Sequence, residues 1–465
     1  MNFDLIVIGS GPGGYVAAIR AAQLGMNVAI IEKESLGGIC LNWGCIPTKA
    51  LLKSAQVFNY IKHAEDYGIK VAEPTSDFPS IIKRSRGVAD GMSKGVNFLM
   101  KKNKVNVIMG TATLARGKKV VVTDAEGKKK EYTSDHIIIA TGGRAKELPN
   151  LPIDGKKIIG YREAMSLPTQ PKRMVVVGAG AIGVEFAYFY HSIGTEVTIV
   201  EFMDQGLLPR EDADISKELT KIYTKAGITT KAGWAVEKVD TSGDVLKVHV
   251  KAKKDGKEEV IECDVVLSAA GVSPNTENIG LELLGIETER GMIKVDKYYR
   301  TNVSGIYAIG DVIPTQALAH VASAEGITCV ENIKGMHVEP INYDNIPSCT
   351  YCWPEVASVG YTEAAAKEAG YEIKVGKFPF SASGKASAAG SKEGFVKVIF
   401  DAKYGEFLGA HFIGANVTEM IAEVVVAKKL ETTGHEIIKS IHPHPTMSEA
   451  IMEAAAAAYD ECIHL

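Results

Sequence analysis

The sequence has no long apolar run, no excess of basic residues and few cysteines for its length. None of its apolar stretches approaches the ~20 residues that span a bilayer. Its 52 Lys and Arg residues are balanced by 56 Asp and Glu residues, and the formal net charge is −4. Without a basic face or a polybasic run, the chain is not expected to bind nucleic acid or a membrane surface.

The seven cysteines are an odd number in a chain of 465 residues. This is typical of cytosolic thiols and not of a secreted disulfide framework. The first strand-like run begins almost directly after Met1, which leaves no room for a signal or transit peptide. We therefore expect a cytoplasmic protein, in which any cysteine pair that oxidises is catalytic. The length predicts roughly three domains of about 150 residues each.

Two cysteines, Cys40 and Cys45, lie five positions apart in the run GGICLNWGCIPTKALL, residues 37–52, which we call the redox segment. In an ideal helix such residues lie about 7.5 Å apart along the axis, whereas a disulfide needs Cα atoms within roughly 4.4–6.8 Å. The chain must therefore bend, and Gly44 gives it the freedom to do so. Pro47 suits a first helical turn, which places Cys45 at a helix N-terminus that favours a thiolate. The spacing predicts a redox-active disulfide that works with a bound cofactor.

A strand–glycine–helix–strand unit occurs twice in the sequence. In each copy an apolar strand leads into a G-x-G-x-x-G turn, and a glutamate closes the second strand 23 positions after the first glycine. The glycines let the backbone approach a pyrophosphate at the helix N-terminus, and the glutamate can accept hydrogen bonds from ribose hydroxyls. One such turn is weak evidence, but two complete units predict two dinucleotide sites. The residues are Gly9, Gly11, Gly14 and Glu32 in the first unit and Gly178, Gly180, Gly183 and Glu201 in the second.

The two units are expected to bind different dinucleotides. Glu201 favours NAD over NADP, because its carboxylate would repel a 2′-phosphate and the following residues 202–204 include no arginine. The first unit is expected to hold FAD, because the redox cysteines follow it directly and need a nearby flavin to take their electrons.

A histidine-rich run, HPHPTMSE, lies near the C-terminus. Thiol–disulfide exchange needs a base, and the imidazole of His444 titrates in a suitable range. The carboxylate of Glu449 can orient that ring. However, Thr446-x-x-Glu449 also fits a helix capping box, so the residues alone leave the role of Glu449 open.

Taken together, these motifs resemble those of the pyridine nucleotide-disulfide oxidoreductases, most closely of the branch that oxidises dihydrolipoamide. The resemblance rests on GGxCxNxGCIPxKALL, the two glycine units, IYAIGD and HPTxSE, and it covers essentially the whole chain. It implies an α/β fold with two Rossmann-like dinucleotide-binding domains and a C-terminal α+β dimerisation domain. The expected domains are 1–145 for FAD, 146–275 for NAD, 276–345 as a central segment completing the FAD site, and 346–465 for the dimer interface.

The resemblance also implies a reaction. Protein-bound dihydrolipoamide would be oxidised to lipoamide with NAD+. Cys40 would be the interchange thiol, Cys45 the thiolate beside the flavin, and His444, supported by Glu449, the base. His442 also matches a histidine of this branch, and is expected either to support the catalytic residues from behind or to be structural.

Further cofactor contacts follow from the resemblance. The apolar run 305–312 predicts a strand that carries Asp311 at its C-terminal end, where ligands bind in doubly wound sheets. By itself Asp311 could equally cap a loop, whereas the resemblance implies that it binds the ribityl chain of FAD. Lys49 and Glu185 would pair beside the flavin ring, although by themselves they are ordinary helix-surface charges. Contacts are also implied at Thr141, Gly142, Ala319 and Gly271.

The implied partners are a second subunit and lipoylated proteins. A homodimer is expected, because the C-terminal base of this family reaches into the neighbouring active site. The lipoyl group would belong to an acyltransferase core or carrier protein of a 2-oxoacid or glycine cleavage complex. The alternatives are a reductase of glutathione-, coenzyme A- or mercuric-type substrates, or mainly a docking subunit of a multienzyme complex. Glu201 and the lack of paired terminal cysteines count against most of the other reductases.

A few residues depart from the family pattern or invite a different interpretation. Val272 stands where the family often has an arginine, and Trp43 is bulky for its place between the redox cysteines. Cys349 and Cys352 have a redox-like or metal-like spacing. In a strand, however, residues three apart point to opposite faces, so we expect a structural role and no metal site.

Overall fold

The computed structural model describes residues 2–465 and contains two compact units. Each unit is assembled from three separate segments of the chain. The first contains the chain up to Leu51, Pro79–Lys146 and Gly271–Ile341, and the second contains Leu52–Phe78, Glu147–Ala270 and Asn342–Leu465. The long helices Cys45–Lys62 and Phe78–Lys102 contribute residues to both.

A seven-stranded sheet forms the centre of the first unit. Five of its strands are parallel, in the order Asn106–Met109, Val28–Glu32, Asn2–Ile8, Lys129–Ile139 and Ile306–Ala308. Two antiparallel strands, Lys119–Thr123 and Thr111–Ala115, extend the sheet from the beginning of Lys129–Ile139. The strand Asn2–Ile8 is almost wholly apolar and buried from Leu5 onward, as parallel strands covered on both faces are.

Short elements complete the first unit. The helix Pro12–Gln23 packs closely on the helix Ala319–Ile333, since a Cβ atom at Gly326 would lie 2.7 Å from the carbonyl oxygen of Gly13. The other helices are Gly38–Asn42, Leu281–Leu284 and the 3-10 turn Gly310–Val312. Two small antiparallel pairs join Gly143–Ala145 to Val272–Pro274 and Thr288–Glu289 to Met292–Ile293.

The second unit contains a five-stranded parallel sheet. Its strand order is Thr229–Ala232, Glu196–Glu201, Arg173–Val177, Val265–Ser268 and Ile158–Ile159. A three-stranded antiparallel sheet, which the sequence did not lead us to expect, is formed by Trp234–Asp240, Leu246–Ala252 and Glu258–Cys263. The helices of this part are Tyr161–Ala164, Ala181–Ser192 and Ala213–Ala226.

The C-terminal part of the second unit is α+β. Its five antiparallel strands lie in the order Ser348–Thr350, Glu355–Gly360, Phe407–Gly414, Phe395–Asp401 and Ile373–Pro379. The helices are Glu363–Glu368, Gly384–Ala388, Val417–Lys429, Gly434–Lys439 and Glu449–Ala457. Short 3-10 turns of the second unit are Ala64–Tyr67, Tyr343–Asn345 and Phe380–Ala382.

The predicted α/β class, with two dinucleotide-type sheets and an α+β C-terminal part, is confirmed. One predicted element is wrong in extent. The strand expected at 305–312 ends at Ala308 and continues as the turn Gly310–Val312, because Gly310 has φ +71°, which no strand accommodates. Within the described part of the chain, none of the helices combines the length and apolar character needed to cross a bilayer.

Candidate active site

In the first glycine turn, residues 9–14, two of the three glycines are required by close backbone packing, and the third faces open space. Gly9 has φ +101°, and a Cβ atom there would lie 2.2 Å from the carbonyl oxygen of Ala140. A Cβ atom at Gly14 would lie 1.9 Å from the carbonyl oxygen of Gly9. At Gly11 a Cβ atom would meet no described atom within 4 Å. The open space at Gly11, at the start of the helix Pro12–Gln23, therefore fits the close approach of a pyrophosphate.

The second glycine turn, residues 178–183, repeats this arrangement. Gly178 has φ +104°, and its Cβ atom would lie 2.5 Å from the carbonyl oxygen of Ala269. A Cβ atom at Gly183 would lie 2.0 Å from the carbonyl oxygen of Gly178, whereas one at Gly180 would meet no described atom within 4 Å. Both predicted dinucleotide sites thus have backbone that a phosphate group can reach.

The two strand-closing glutamates hold their glycine turns in the same way. Glu32 accepts the N–H of Ser10 at 3.0 Å and that of Glu34 at 2.9 Å, and also the Ser10 hydroxyl at 2.6 Å. Glu201 accepts the N–H of Ala179 at 2.7 Å and that of Met203 at 2.7 Å. A carboxylate has about four acceptor positions. Glu201 can therefore bind ribose hydroxyls while it still supports the backbone.

The redox segment bends between its cysteines, as the spacing predicts. Cys40 lies in the short helix Gly38–Asn42, and Cys45 is the first residue of Cys45–Lys62. Gly44 is needed here for close approach and not for a positive φ, because its Cβ atom would lie 3.2 Å from the carbonyl oxygen of Ile39.

The two thiols are hydrogen-bonded to each other, and this makes Cys40 a weaker acid than an ordinary cysteine. The bond with Cys45, together with burial and the charge of an ionised Cys45, raises the pKa of Cys40 well above its ordinary value. The Lys49 ammonium opposes this only in part. Cys45 is the thiol at the helix N-terminus, where a thiolate is stabilised.

Asp311 lies in the turn Gly310–Val312, and burial raises the pKa of its carboxyl. The residue that caps this turn is Glu325 and not Asp311. Glu325 is fully buried, and the sequence analysis did not identify it. Glu325 accepts the N–H of Gly310 at 2.7 Å and the hydroxyl of Thr315 at 2.8 Å. Since Glu325 holds the loop, Asp311 is available for a ligand. Ala319 begins the next helix, so its N–H is one of the donors that helix N-termini leave open.

The other contacts predicted by resemblance lie where two strands meet. The hydroxyl of Thr141 donates to the carbonyl oxygen of Asn275 at 2.6 Å, and the Asn275 N–H donates to the carbonyl oxygen of Gly142 at 2.8 Å. Gly271 has φ +116°. Val272 replaces the arginine of the family pattern, but another arginine lies beside the same strand. Arg144, in the strand that pairs with Val272–Pro274, donates to the carbonyl oxygen of Pro274 at 2.9 Å.

His444 and Glu449 are brought together. His444 Nδ1 lies 2.8 Å from Glu449 Oε1, and Glu449 Oε2 accepts the N–H of Thr446 at 2.7 Å. Glu449 is the first residue of its helix and Ser448 is the N-cap, so Thr446 and Glu449 do not form a capping box. Burial acts to raise the pKa of Glu449, but the Thr446 N–H and His444 outweigh it and lower the pKa.

His442 forms a separate pair. Its Nε2 lies 2.7 Å from Glu423 Oε1, and this bond raises the pKa of His442. The side chain of His442 is 7% exposed, whereas that of His444 is 78% exposed. His444 is therefore the imidazole that a substrate can reach.

Neither Lys49 nor Glu185 is an ordinary surface charge. Glu185 is 5% exposed, and its Oε1 accepts the N–H of Tyr351 at 2.9 Å. Lys49 is half-buried, and its positive charge acts to lower the pKa of Cys40. The first unit carries Cys40, Cys45 and Lys49, while the second carries Glu185, His444 and Glu449.

Cys349 and Cys352 are both thiols, and only the first lies in a strand. Cys352 is 2% exposed, donates to the carbonyl oxygen of Pro354 at 3.0 Å, and has its pKa raised by burial. No group of three or more metal-ligating side chains occurs among residues 2–465.

Two dinucleotide-type glycine turns and a cysteine pair at a helix N-terminus define a pyridine nucleotide-linked disulfide oxidoreductase. The family model described as pyridine nucleotide-disulphide oxidoreductase matches residues 3–326, and the dimerisation domain of that family matches residues 346–455. The chain belongs to this family.

Particular relatives extend over the whole chain. The chain is 50% identical over 464 residues to a dihydrolipoyl dehydrogenase of Zymomonas mobilis, covering 100% of this chain and 99% of the relative. It is 44% identical to a leghemoglobin reductase of Glycine max, covering 98% of this chain and 88% of that protein. A crystal structure of LpdA from Mycobacterium tuberculosis matches with a TM-score of 0.90 at 28% identity, covering 97% of this chain and 98% of the other.

Proposed function

We propose that this protein oxidises protein-bound dihydrolipoamide to lipoamide with NAD+, as a dihydrolipoyl dehydrogenase. The observation that carries this proposal is the geometry of the Cys40–Cys45 pair, in which Cys40 lies in one short helix and Cys45 begins the next, with a bend at residues 43–44 between them. Full-length similarity to proteins named dihydrolipoyl dehydrogenase supports the choice of substrate over other disulfides.

The cofactors are FAD and NAD. We place FAD at the first glycine turn with Asp311 and Ala319, and NAD at the second glycine turn with Glu201. The open backbone at Gly11 and Gly180 fits both placements. When bound, FAD supplies the two-electron transfer that returns the dithiol to a disulfide and passes a hydride to NAD+.

The side chains of this protein carry the thiol chemistry. His444 takes a proton from the substrate dithiol, and the resulting thiolate attacks Cys40 of the disulfide. The Cys40–Cys45 bond breaks, and Cys45 leaves as a thiolate at its helix N-terminus. The second substrate thiol then attacks the substrate sulfur bound to Cys40, and its proton passes to the Cys40 sulfur as the bond between Cys40 and the substrate breaks. Lipoamide leaves, and the first proton stays on His444.

The protein carries the dimerisation domain of its family. We propose a homodimer in which His444 and Glu449 serve the cysteine pair of the other subunit, with 346–465 as the interface segment. The exposure of His444 supports this role. The proposed partner is a lipoylated acyltransferase core or lipoyl carrier protein, and the proposed location is the cytoplasm, where cysteines stay reducible.

The test is NAD+ reduction by dihydrolipoamide with the purified flavin-loaded protein. We expect a fast rate that is much lower with NADP+ and is abolished in Cys40→Ser and Cys45→Ser variants. Full activity in either serine variant would refute the thiol mechanism. An inactive wild-type dimer that still reduces another disulfide would refute the substrate.

A further inference from the structure

The redox segment is supported by three consecutive residues of the helix Phe78–Lys102. None of them belongs to a motif that the sequence made visible. Each donates one side-chain hydrogen bond to a carbonyl oxygen of the segment: Arg84 to Ala50 at 2.7 Å, Ser85 to Pro47 at 2.8 Å and Arg86 to Asn42 at 2.7 Å.

Arg86 contacts the turn between the two redox cysteines. Its Nη1 donates to the carbonyl oxygen of Asn42, and its guanidinium carbon lies 4.8 Å from the centroid of the Trp43 ring. Asn42 ends the helix Gly38–Asn42. Carbonyl groups at a helix C-terminus lack partners within the helix, and a cation there also complements the helix dipole. One side chain thus holds both the peptide group after residue 42 and the ring of residue 43.

The other two donors act elsewhere. Arg84 and Ser85 contact Ala50 and Pro47, which lie inside the helix Cys45–Lys62 and beyond the second redox cysteine. The hydrogen bond from Arg86, by contrast, is made to the turn between the two redox cysteines. Since Arg84 has the same chemistry on the same helix, it is a natural control for Arg86.

We infer that Arg86 is a positioning residue for the redox cysteines: through Asn42 and Trp43 it holds the turn that keeps the Cys40 and Cys45 sulfurs within bonding reach. The inference rests on the proposed redox function of this pair. A disulfide tolerates only a narrow range of Cα separations. A turn fixed in that range raises the effective concentration of one thiol at the other. Arg86 therefore favours the disulfide over the dithiol.

The test compares Arg86→Met with Arg84→Met, since methionine keeps an apolar stem and removes every donor. Each holoenzyme is equilibrated with mixtures of reduced and oxidised dithiothreitol, acid-quenched and alkylated, and the peptide carrying both cysteines is analysed by mass spectrometry. For Arg86→Met the equilibrium constant for disulfide formation should fall by about tenfold, the size expected of one hydrogen bond from a charged group. This corresponds to about 30 mV for a two-electron couple. For Arg84→Met it should stay within about twofold of wild type.

Arg86→Lys retains the charge and one donor without the flat face that lies on Trp43, so it should fall between wild type and Arg86→Met. An unchanged constant in Arg86→Met overturns the inference, as does an equal shift in Arg84→Met. If Arg86→Met does not fold, an unchanged constant in Arg86→Lys overturns it. These results are independent of substrate turnover, so a failure of the dihydrolipoamide assay refutes the proposed function separately.

Discussion

His444 Nδ1 lies 2.8 Å from Glu449 Oε1, while the second oxygen of that carboxylate accepts the N–H of Thr446 at 2.7 Å. An ionised carboxylate only accepts hydrogen bonds, so Nδ1 carries the proton and Nε2 is the basic nitrogen. The backbone bond fixes the carboxylate, and the carboxylate fixes the ring. Glu449 therefore orients the ring of His444 and also holds the backbone at Thr446, without forming the capping box that the sequence left open.

Replacing His444 with glutamine should lower kcat for dihydrolipoamide oxidation by about 10²–10⁴-fold, the contribution of a general base. Glu449→Gln should lower it by less, about tenfold, because the neutral amide still orients the ring but no longer stabilises its cation. Steady-state rates across pH measure both effects.

His442→Gln is the matched control, because His442 forms its own pair with Glu423 and is buried. Its kcat should remain within about threefold of wild type if the pair is structural. A loss in His442→Gln as large as that in His444→Gln would reverse the assignment of the base.

The two kinds of glycine in the first glycine turn should respond differently to alanine. Gly11→Ala should fold normally but weaken FAD binding by about 1–3 kcal/mol, because its methyl group occupies space that the fold leaves open to the pyrophosphate. Gly14→Ala places a methyl group 1.9 Å from the Gly9 carbonyl oxygen and should destabilise the fold itself. Flavin content and thermal unfolding of each variant distinguish the two outcomes. Normal flavin retention in Gly11→Ala would contradict the placement of FAD.

Glu201→Gln should reduce the preference for NAD+ over NADP+, because it removes the charge that repels a 2′-phosphate. The amide oxygen can still accept one of the two backbone N–H groups that Glu201 now holds, so the turn should persist. The ratio of kcat/KM for the two nucleotides is the measurement. Asp204→Asn, three residues on and exposed, is the control. An unchanged ratio in Glu201→Gln would place the source of nucleotide choice elsewhere.

Much of the fold and site follows from local sequence patterns. Glycine spacing, apolar strands and a closing glutamate are short-range features, so both dinucleotide units could be recognised from residues near Gly9 and Gly178. The helix start at Cys45 was likewise predictable from Pro47. These features depend on backbone sterics and on helix ends, which the chain encodes within a few residues.

What could not be predicted depends on contacts between distant segments. Glu325 holds Gly310 through a buried hydrogen bond, yet its sequence context is that of any helix. Arg86 meets Asn42 only because two helices pack together. Arg144 lies in the strand that pairs with Val272–Pro274, the strand in which Val272 replaces the arginine of the family pattern. Such roles are set by tertiary packing, for which a single sequence gives no local pattern.

Lys397 is another residue whose role is set by tertiary packing, and replacing it tests how much a buried charge cluster contributes to stability. Its Nζ lies 2.9 Å from Asp212, 3.1 Å from Asp214 and 2.8 Å from Glu363, and its side chain is 3% exposed. Lys397→Met would leave buried Asp212 without its cation and should cost about 3–5 kcal/mol. Lys377→Met is the control. Lys377 is 44% exposed and 3.4 Å from Asp214, so its loss should cost about 1 kcal/mol or less.

The stability lost in Lys397→Met should depend on pH in a defined direction. Burial acts to raise the pKa of Asp212, but the hydrogen bonds from Lys397 and from the Glu363 N–H, together with nearby positive charge, outweigh it, and the net shift is downward. Stability from a lowered carboxyl pKa is present above the ordinary value of 3.8 and disappears as pH falls through the folded value. Burial acts to lower the pKa of Lys397, but the neighbouring carboxylates, Glu363 and Asp212 foremost, outweigh it, and the net shift is upward. The stability that Lys397 contributes is therefore fully present below its ordinary pKa of 10.5 and is lost only at higher pH. The difference between wild type and Lys397→Met should therefore be full from roughly pH 5 to 10 and shrink in acid. Native-state hydrogen exchange in the strand Phe395–Asp401 measures it locally, and equal losses in both lysine variants would refute the buried cluster as its source.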